Sequence, residues 1–541
     1  MIKKILKRRA WMRLLRILRG HRQLKKQNAL GRINFLKQDL ASTPCIDNGK
    51  YSKLIFGGQF EHEELIIRQF LLARIEATIF SKDILYSVGN FDSPISYPLP
   101  SEWRKVVIQH GFRVNNIYSM IKWNVFVILK FIFSILSFTL KIFEDLNHII
   151  KQNYPLKGRY AYFDNLSRRN FPLTSSKGAI QNIFTWYLQW SGKNPNVDSI
   201  CHDVKGINKI IVENIPVMPI SSALPSLTKI SMLLNFLFWG TTVIFFSLGE
   251  LIRGHWWHAL IFGESYKAKV FSIANHDQLA KEYLFHNSSW IYRPLWTYEA
   301  ENRGSRILFY FYSTNVEGFK QADGYLPVCF GWKTSTWSNL LVWDLQQQDF
   351  VNRTLDKITN TFVVGPIWFE SGVEKLPMLP YNSIAVFDVQ PVRDSLYNSL
   401  GISFDYFIPT NCNQFLTDIY EVLSKNSFSL VLKRKRNIGK LIHYKYQRLL
   451  EQLEKKPNFI SLDPDLRANQ IIENCKAVIS MPFTATAIIA KQMGVPTVYY
   501  DPNGLILKDD RGAHGIKIVS GKKELEDWLF EVIEKPLNDL N

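Results

Sequence analysis

Short apolar runs alternate with segments of helical periodicity from residue 158 onward, which is the pattern of a parallel α/β sheet. A connection rich in charge and proline at residues 370–380 divides this region into two series of predicted strands. The first series predicts a domain over residues 158–368, with strands at Arg159–Phe163, Ser199–His202, Ile210–Val212, Lys269–Ala274, Arg306–Phe311, Leu326–Phe330, Asn339–Trp343 and Thr361–Val364.

The second series predicts another domain of the same kind over residues 381–541. Its predicted strands are Ile384–Asp388, Ser429–Leu432, Phe459–Leu462, Ala477–Ser480 and Pro496–Tyr500, and its helices are Gln414–Ser424, Arg467–Cys475 and Thr486–Met493. Two successive doubly wound domains form the arrangement called GT-B, whose ligand binds between the carboxyl ends of the strands. We therefore predict a GT-B-like α/β fold with two Rossmann-like domains.

Two apolar stretches, residues 123–143 and residues 230–249, are long enough to cross a bilayer. The first contains Lys130, which costs about 2.5–3.5 kcal/mol near a bilayer centre. A crossing by the second would separate the first strands of the domain from its remainder. We therefore expect helices that dip into one leaflet or lie buried, the first in an accessory region at 39–157 and the second in an insertion at 227–260.

The formal net charge of +19 is concentrated in an arm at residues 1–38, which contains thirteen Lys or Arg and no Asp or Glu. Only +6 remains for the other residues, so nucleic acid is not the expected partner of the folded body. The arm mixes its basic residues with Ile, Leu, Trp and Met, which suits an anionic membrane surface. A solvated or nucleic-acid-binding tail is the alternative for the arm.

Cysteine usage predicts neither a disulfide framework nor a zinc site, and a reducing cytosol is the expected compartment. The five cysteines form no CxxC pair and no metal-ligand spacing with histidine; they are Cys45, Cys201, Cys329, Cys412 and Cys475. Asp463 and Asp465 precede a predicted helix and are interpreted as caps. We therefore expect no bound metal.

The most specific candidate site is the loop in SMPFTAT, which joins a predicted strand to a predicted helix. It offers three hydroxyls and the backbone N–H groups of a helix N-terminus, a combination that binds phosphate. The strand that follows the helix is expected to place Tyr500 at the same edge. We predict a phosphate site that contains Ser480, Pro482, Phe483, Thr484, Thr486 and Tyr500. A Ser/Thr-capped helix in an ordinary α/β unit is the alternative.

A basic cluster directly follows the predicted strand Ser429–Leu432. Alternation along the chain places Lys433 and Lys435 on one face, with Arg434 and Arg436 on the other. Because this is the ligand edge of a parallel sheet, we predict that Lys433, Lys435 and Arg436 contact the phosphate. A solubilising loop is the alternative.

An aromatic segment at residues 286–315 contains candidate catalytic acids, Glu299 and Glu301. Either would act as general base on an acceptor hydroxyl. Arg293, Trp296 and Arg303 would bind the acceptor, with the aromatic residues of the segment forming a wall for sugar stacking. In a helix, Glu299 and Arg303 are also i,i+4 partners, so that a surface ion pair is the alternative.

Two aspartates are rival candidates for the catalytic carboxylate. Asp164 follows the first predicted strand of the first domain, and Asp388 ends the first predicted strand of the second. Each is therefore expected at the carboxyl edge of its sheet. The pattern of residues does not rank the four acids.

The segments ISMPFTATA and KQMGVPTVYYDP resemble the bacterial polysaccharide-biosynthesis proteins named for a Pro-Phe-Thr-Ser motif. Other segments similar to that family are YRPLWTYEAENRGS, YFYSTN, VVGP, VFDVQP and LVLKRKR, so that the resemblance covers residues 158–505. The chain departs from the motif at Ala485, where the family has serine. That departure puts a direct role of position 485 in doubt and leaves the hydroxyls of Thr484 and Thr486 in place.

The resemblance implies a GT-B glycosyltransferase of surface glycan assembly, such as capsule, lipopolysaccharide or O-antigen, bound peripherally or monotopically at the cytoplasmic face of the bacterial inner membrane. It implies a nucleotide-sugar co-substrate, with a CMP-ulosonate such as Kdo or a nonulosonate as the specific expectation and a UDP-sugar as the alternative. The expected acceptor is a lipid-linked or growing polysaccharide, and no cofactor is expected.

Three alternatives stay open on the sequence alone. They are a nucleotide-sugar epimerase, an alditol-phosphate transferase of the same architecture, and a non-catalytic membrane subunit of a polysaccharide assembly machine. An epimerase needs no membrane, so the basic arm and the two apolar stretches count against it.

Overall fold

A computed structural model of the protein describes residues 29–43, 94–152, 158–172, 182–190, 197–286, 292–311, 318–325, 330–355, 359–367, 376–392 and 406–534, with six positions between 67 and 74 and without Thr334 and Arg436. The part of the predicted basic arm up to residue 28 lies outside the described residues.

The first α/β layer is an eight-stranded sheet. Its strands are β1 Tyr160–Phe163, β2 Ser199–His202, β3 Ile210–Val212, β4 Ile215–Pro219, β5 Glu282–His286, β6 Arg306–Tyr310, β7 Asn339–Val342 and β8 Asn360–Val363. The order is β3-β4-β2-β1-β5-β6-β7-β8, and every pair is parallel except β3 with β4. β1 and β5 are buried along their whole length, as expected for parallel strands covered on both faces.

The second layer is a six-stranded, fully parallel sheet. Its strands are β9 Ser383–Phe387, β10 Ser429–Lys433, β11 Phe459–Leu462, β12 Ala477–Ser480, β13 Thr497–Asp501 and β14 Ile518–Ser520. The order is β11-β10-β9-β12-β13-β14. The two parallel layers in succession confirm the predicted α/β fold of GT-B type.

The described helices connect and cover these strands. They are α1 Ala29–Ser42, α2 Ser101–Gln109, α3 Asn116–Lys151, α4 Ile183–Trp190, α5 Ile230–Ile252, α6 Trp257–Ile273, α7 Trp296–Asn302, α8 Phe330–Lys333, α9 Leu345–Thr354, α10 Pro409–Lys425, α11 Tyr444–Leu453, α12 Ala468–Glu473, α13 Ala485–Gln492 and α14 Gly521–Glu534. Local signals set several starts: Asn115 caps α3, Asp344 caps α9, and proline at N1 begins α10.

In both sheets the strand that comes first in the chain lies in the interior, and later strands add to one side and then to the other. The order reverses between β1 and β5 in the first sheet and between β9 and β12 in the second. Ligands of open α/β sheets bind in the crevice outside the carboxyl ends of the strands at such a switch point. Asp164 follows β1 and Asp388 follows β9, so each lies at a switch point.

Helices α3, α5 and α6 pack against one another beside the first sheet. Gly240 of α5 permits a close crossing with α3, because a Cβ at that position would lie 2.0 Å from Cζ of Phe138. By length and composition alone, α3 and α5 are each able to cross a membrane. Large apolar side chains cover their outer faces, among them Ile117, Phe133, Leu140, Phe143, Phe238, Phe245 and Ile252.

Of two further predicted strands of the first domain, one is helical in the structure and the other cannot be compared. The first, Lys269–Ala274, belongs to α6 up to Ile273, and the surrounding helix is buried on nearly every side, so no polar stripe marks its helical period. The second is Leu326–Phe330, of which the structure describes Phe330 alone, at the start of α8. On the side away from β2, β1 pairs with β5, a strand that the pattern missed because it starts and ends with Glu282 and His286.

Candidate functional site

The Ser480–Thr486 loop leaves the second sheet at its switch point. In β12, Ser480 pairs with Phe387 of β9, and the backbone N–H of Met481 donates to the Phe387 carbonyl at 2.8 Å. The loop therefore starts beside Asp388, and α13 begins at Ala485, one residue earlier than predicted. A helix N-terminus thus lies where the fold brings ligands to the sheet.

The three predicted hydroxyls of this loop form one chain of hydrogen bonds. The oxygens of Ser480 and Thr486 lie 3.3 Å apart, those of Thr486 and Thr484 lie 3.3 Å apart, and Thr484 donates to the Met481 carbonyl at 2.9 Å. Thr484 is the N-cap residue of α13, yet its side chain accepts no cap hydrogen bond. The loop thus differs from an ordinary capped helix, whose N-cap oxygen accepts from a first-turn N–H.

Phe483 gives the loop its shape. Its φ of +61° lies in the left-handed region, where a residue with a side chain costs about 1–2 kcal/mol. Its ring packs at 4.9 Å from Phe319 of the first domain and at 5.8 Å from Tyr499. Pro482 and Phe483 are buried and Ser480 is fully buried, so Thr484 and Thr486, both half-buried, present the accessible hydroxyls.

Tyr500 does not reach the loop. Its side chain is fully buried, and its hydroxyl donates to Oδ2 of Asp418 in α10 at 2.7 Å. The preceding residue, Tyr499, faces the other side of β13 and donates to the Thr484 carbonyl at 3.0 Å. A ligand contact by Tyr500 is therefore not supported, because the one-residue alternation of the strand points it into the core.

The basic cluster lies beside the same switch point. Lys433 is the last residue of β10 and pairs in register with Phe387, so that the cluster flanks Asp388. Lys433 and Arg434 are half-buried, whereas Lys435 is exposed. Arg436 lies outside the described residues. Arg434, which sequence reasoning left out of the site, interacts electrostatically with Asp388.

Asp388 is buried and accepts a hydrogen bond at Oδ2 from the Tyr446 hydroxyl. Burial raises its pKa to about 6, and the Tyr446 hydrogen bond and the Arg434 charge oppose that shift. Among the described residues, neither Asp388 Oδ1 nor Arg434 Nε has a hydrogen-bond partner. These two buried polar atoms at the switch point are therefore able to form hydrogen bonds with a ligand.

Two carboxylates lie at the switch point of the first sheet. Phe163 of β1 pairs with His202 of β2, so Asp164 and Asp203, the next residue of each strand, emerge side by side. Asp164 is half-buried and Asp203 is exposed. Sequence reasoning missed Asp203, although the rule that selected Asp164, an acid directly after a strand, applies equally to it.

The surroundings of Asp164 favour its neutral form. Burial raises its pKa to about 6, the nearby Asp203 carboxylate adds to that rise, and Lys267 opposes it. Tyr310 of β6 also lies within electrostatic reach, and burial together with Asp164 raises the pKa of its phenol. Within the described part of the chain, burial and charges, and no hydrogen bond, set the pKa of the Asp164 carboxyl.

The predicted acids and acceptor residues of α7 lie elsewhere. Arg303 donates to the carbonyls of Phe271 and Ser272 at the end of α6, which is the amino edge of the sheet. Glu299 lies one helical turn before Arg303 and is buried, which raises its pKa. Trp296 stacks on Phe271 at 4.7 Å inside the core. Because α7 leads into the start of β6, the described residues of α7 lie toward the amino edge of the sheet and form no acceptor wall at the carboxyl edge.

Arg293 and Glu301 form a buried structural network. The Arg293 guanidinium donates to Glu301 at 2.6 Å, to Thr297 at 3.0 Å, and to the Thr336 carbonyl at 2.6 Å. It also lies 4.0 Å from the ring centroid of Tyr298. Arg293 is 2% exposed. Its contacts fix the chain before α7, and acceptor binding by Arg293 or catalysis by Glu301 is not supported.

Loops at the carboxyl edges of both sheets contact each other. Trp343 and then Asp344 follow the end of β7, and His514 Nδ1 lies 2.6 Å from the Asp344 carboxylate. Asp510 accepts from the Tyr325 hydroxyl at 3.0 Å and from the Lys320 backbone N–H at 2.8 Å. The carboxyl edges of the two sheets are therefore in contact at these loops, and the crevice between the two edges is the cleft expected of a GT-B protein.

The structure contains no group of three or more His, Cys, Asp or Glu side chains with metal-ligand geometry, as far as its described residues extend. In the DPD segment, Asp463 Oδ1 accepts from the Asp465 backbone N–H at 2.8 Å. The segment therefore forms a turn before α12.

Fold and site together define a GT-B-like α/β protein with a hydroxyl-rich loop at the second switch point. The family model described as "Polysaccharide biosynthesis PFTS motif protein" matches residues 241–529, more than half of the chain, and the chain belongs to that family. The match contains Pro482, Phe483 and Thr484, with Ala485 at the fourth position of the motif.

Solved structures similar to the chain share little sequence with it. They include TarM (10% identity, 47% of each chain covered, TM-score 0.27), the UDP-GlcNAc 2-epimerase of Methanocaldococcus jannaschii (10%, 71% of this chain and 93% of that chain, 0.36) and the wall teichoic acid polymerase TagF with CDPG (10%, 76% and 91%, 0.36). The chain spans about half the length of TarM. No curated protein matches the sequence.

Proposed function

We propose that the protein is a glycosyltransferase that moves a sugar from a nucleotide-sugar donor to a lipid-linked or growing polysaccharide. One observation carries the proposal: the second switch point has a helix N-terminus with the half-buried hydroxyls of Thr484 and Thr486, and the first has Asp164, a carboxylate with a pKa of about 6. An acceptor hydroxyl and an activated sugar phosphate need these two kinds of group on opposite sides.

The donor phosphate binds at the N-terminus of α13. The helix dipole, its first-turn N–H groups and the hydroxyls of Thr484 and Thr486 stabilise the negative charge that develops on the leaving phosphate. Lys433 and Arg434 lie across the switch point, and Arg434 Nε is a buried donor with no partner among the described residues. A CMP-ulosonate carries a phosphate and a carboxylate, and the two kinds of anion site suit it.

Asp164 acts as the general base. It accepts the proton of the acceptor hydroxyl as the oxygen attacks the anomeric carbon, and the nucleotide leaves with the bonding electrons. A pKa of about 6 leaves the carboxylate mostly ionised at neutral pH while keeping it a stronger base than an ordinary aspartate. We propose that no metal takes part, because the helix terminus and the basic residues supply the positive charge at the phosphate.

The exposed apolar faces of α3 and α5 bind the membrane surface. Both helices lie along the first domain, and both present side chains such as Phe133, Leu140 and Phe245 outward. Large exposed apolar side chains grouped on one face are typical of an interaction surface. With the basic arm at residues 1–38, it suits an anionic bilayer and peripheral or monotopic binding at the cytoplasmic face.

A thermal-shift screen with CMP, UDP, GDP and dTDP tests the proposed function. A nucleotide that binds the folded protein stabilises it, by about 2.7 kcal/mol at a concentration 100-fold above the Kd. We expect a rise in Tm with one base and incorporation of radiolabelled sugar into a lipid extract that survives EDTA. The absence of a shift with every nucleotide contradicts the proposal, and turnover of the donor without an acceptor indicates an epimerase.

A further inference from the structure

A cavity of about 200 Å³ lies between α3 and α6, away from the loop at α13. Its floor is a close helix crossing, because a Cβ at Gly263 would lie 2.6 Å from the Ser134 hydroxyl. One water needs about 10–15 Å³ on this scale, so the cavity has room for roughly a dozen waters. That volume suits a small head group and excludes a folded peptide.

One wall of the cavity is basic and hydrogen-bonding. Lys130 and Ser137 of α3 line it together with Lys267 and Glu264 of α6. Lys267 Nζ lies 3.0 Å from Glu264 Oε1, while Glu264 Oε2 accepts from the Leu295 backbone N–H at 3.2 Å. Glu264 is therefore held by its own partners, and the two lysines leave an excess of one positive charge at the wall. The wall favours an anion.

The mouth of the cavity opens onto the apolar face of α3. Phe133 lines the cavity and is 63% exposed. Leu129, Leu136 and Leu140 continue the exposed apolar surface along the same helix. A ligand whose anionic end entered the cavity would therefore have an apolar surface along which a chain could lie.

Lys267 links the cavity to the first switch point. Lys267 lines the cavity and also interacts electrostatically with Asp164, which lies at the first switch point. The same lysine thus connects the apolar face of α3 with the carboxylate proposed as general base. A head group at Lys267 would lie next to the reacting hydroxyl.

We propose that this cavity binds the phosphate or diphosphate head of a long-chain lipid, with Lys130 and Lys267 on the phosphate and the chain along the exposed face of α3. Its assignment as the site of the lipid-linked acceptor rests on the proposed function. Binding of the lipid phosphate itself does not depend on that function.

Titration calorimetry on the full chain in phosphatidylcholine nanodiscs tests the site, with farnesyl phosphate as the probe. Farnesol has the same chain without the charge, and inorganic phosphate has the charge without the chain. We expect farnesyl phosphate to bind at least about tenfold more tightly than either, the effect of one charge-assisted contact. Equal binding of farnesol overturns the proposal, and so does full competition by inorganic phosphate at equal concentration.

Substitutions locate the site. Lys130→Ala and Lys267→Gln should each weaken farnesyl phosphate binding by about tenfold, and Ser137→Phe should block the cavity mouth. Lys151→Ala, at the far end of α3, is the matched control and should bind as the wild type does. Lys130 is exposed, so its variant keeps the test valid if Lys267→Gln does not fold. Unchanged binding by Lys130→Ala and Ser137→Phe overturns the assignment.

The nucleotide screen separates the two proposals. If farnesyl phosphate binds in this pattern and no nucleotide raises Tm, the lipid-phosphate site stands and the proposed glycosyl transfer fails. If a nucleotide binds and the lipid does not, only the site fails.

Discussion

The imidazole of His514 lies 2.6 Å from the carboxylate of Asp344 and joins the second α/β domain to the first. The other oxygen of Asp344 accepts from the Gln347 backbone N–H at 2.8 Å, and so caps α9. The carbonyl of His514 accepts from Lys491 of α13 at 2.8 Å. A chain of contacts therefore runs from the first domain to the helix that begins at the proposed phosphate site.

His514→Gly should lower kcat/KM by about tenfold without weakening nucleotide binding, because the contact orients one substrate against the other. Glycine tolerates the left-handed backbone at this position, where φ is +52°, and removes the imidazole. The measurement is steady-state kinetics beside a nucleotide thermal shift. Lys517→Ala, which removes an exposed ion pair within the second domain, is the control. Wild-type kinetics in His514→Gly would show that the contact does not orient the domains.

Asp164→Asn should lower kcat by about 10²–10⁴-fold, the usual contribution of a general base, and leave nucleotide binding intact. In the wild type, the base must be ionised to act, so activity should rise with pH through about 6 and level off above it. A pH profile of kcat/KM measures both effects. Wild-type activity in Asp164→Asn would show that another group is the general base.

Asp203→Asn should move the acidic limb of that profile to lower pH. The Asp203 carboxylate raises the pKa of Asp164, so its removal lets that pKa fall. Because burial is the larger cause of the raised pKa, the midpoint of the acidic limb should stay above the ordinary pKa of an aspartate. Asp277→Asn, an exposed carboxylate before β5 at the amino edge, is the control and should leave the limb in place. An unmoved limb in Asp203→Asn would mean that another group controls it.

Thr484→Val and Thr486→Val should each weaken nucleotide binding by about tenfold, because each removes a hydroxyl from the phosphate site at nearly constant shape. Ser480→Ala should affect binding less, since Ser480 is fully buried. Calorimetry with the nucleotide identified by the thermal-shift screen measures the loss. Thr497→Val, at the start of β13 in the same sheet, is the matched control. If all four variants bind the nucleotide with the same affinity, the phosphate does not bind at this loop.

Asp388→Asn should stabilise the protein above pH 6. The folded-state pKa of about 6 exceeds the ordinary 3.8, so ionisation costs the folded state about 3 kcal/mol at neutral pH. Asparagine still accepts from Tyr446 and carries no charge. The gain should shrink between pH 6 and pH 4 and vanish below, as measured by urea unfolding. Asp349→Asn on exposed α9 is the control, and a destabilised Asp388→Asn at pH 7 would contradict the argument.

Several short strands could be predicted to the residue. Ser199–His202, Phe459–Leu462 and Ala477–Ser480 have the same bounds in the sequence pattern and in the structure. Each is a short run closely bounded by charged residues, asparagine or proline, which mark where the strand begins and ends. Helix α6 could not be predicted in this way, since burial on nearly every side removes the polar stripe that marks a helix.

The site could be predicted as far as strand ends allow. The positions of Asp164, Asp388 and the Thr484 loop follow from which strand each residue succeeds. The order of strands does not predict the direction of a side chain or the partners that it finds far along the chain. Tyr500 and Tyr499 look alike in sequence and both are buried, and only the fold decides that Tyr500 donates to Asp418 of α10 and Tyr499 to the Thr484 carbonyl. Arg293 likewise has its Thr336 partner 43 residues away.

The reversal of strand order in each sheet has a consequence for how the protein can change. Each sheet has its own rim, the set of loops that follow the carboxyl ends of its strands. The residues of one rim therefore follow strands that belong to one sheet alone. Loops vary at low cost to a packed core. One rim can therefore be altered while the other is kept, so that the same framework supports a new polymer with an old activated sugar, or the reverse.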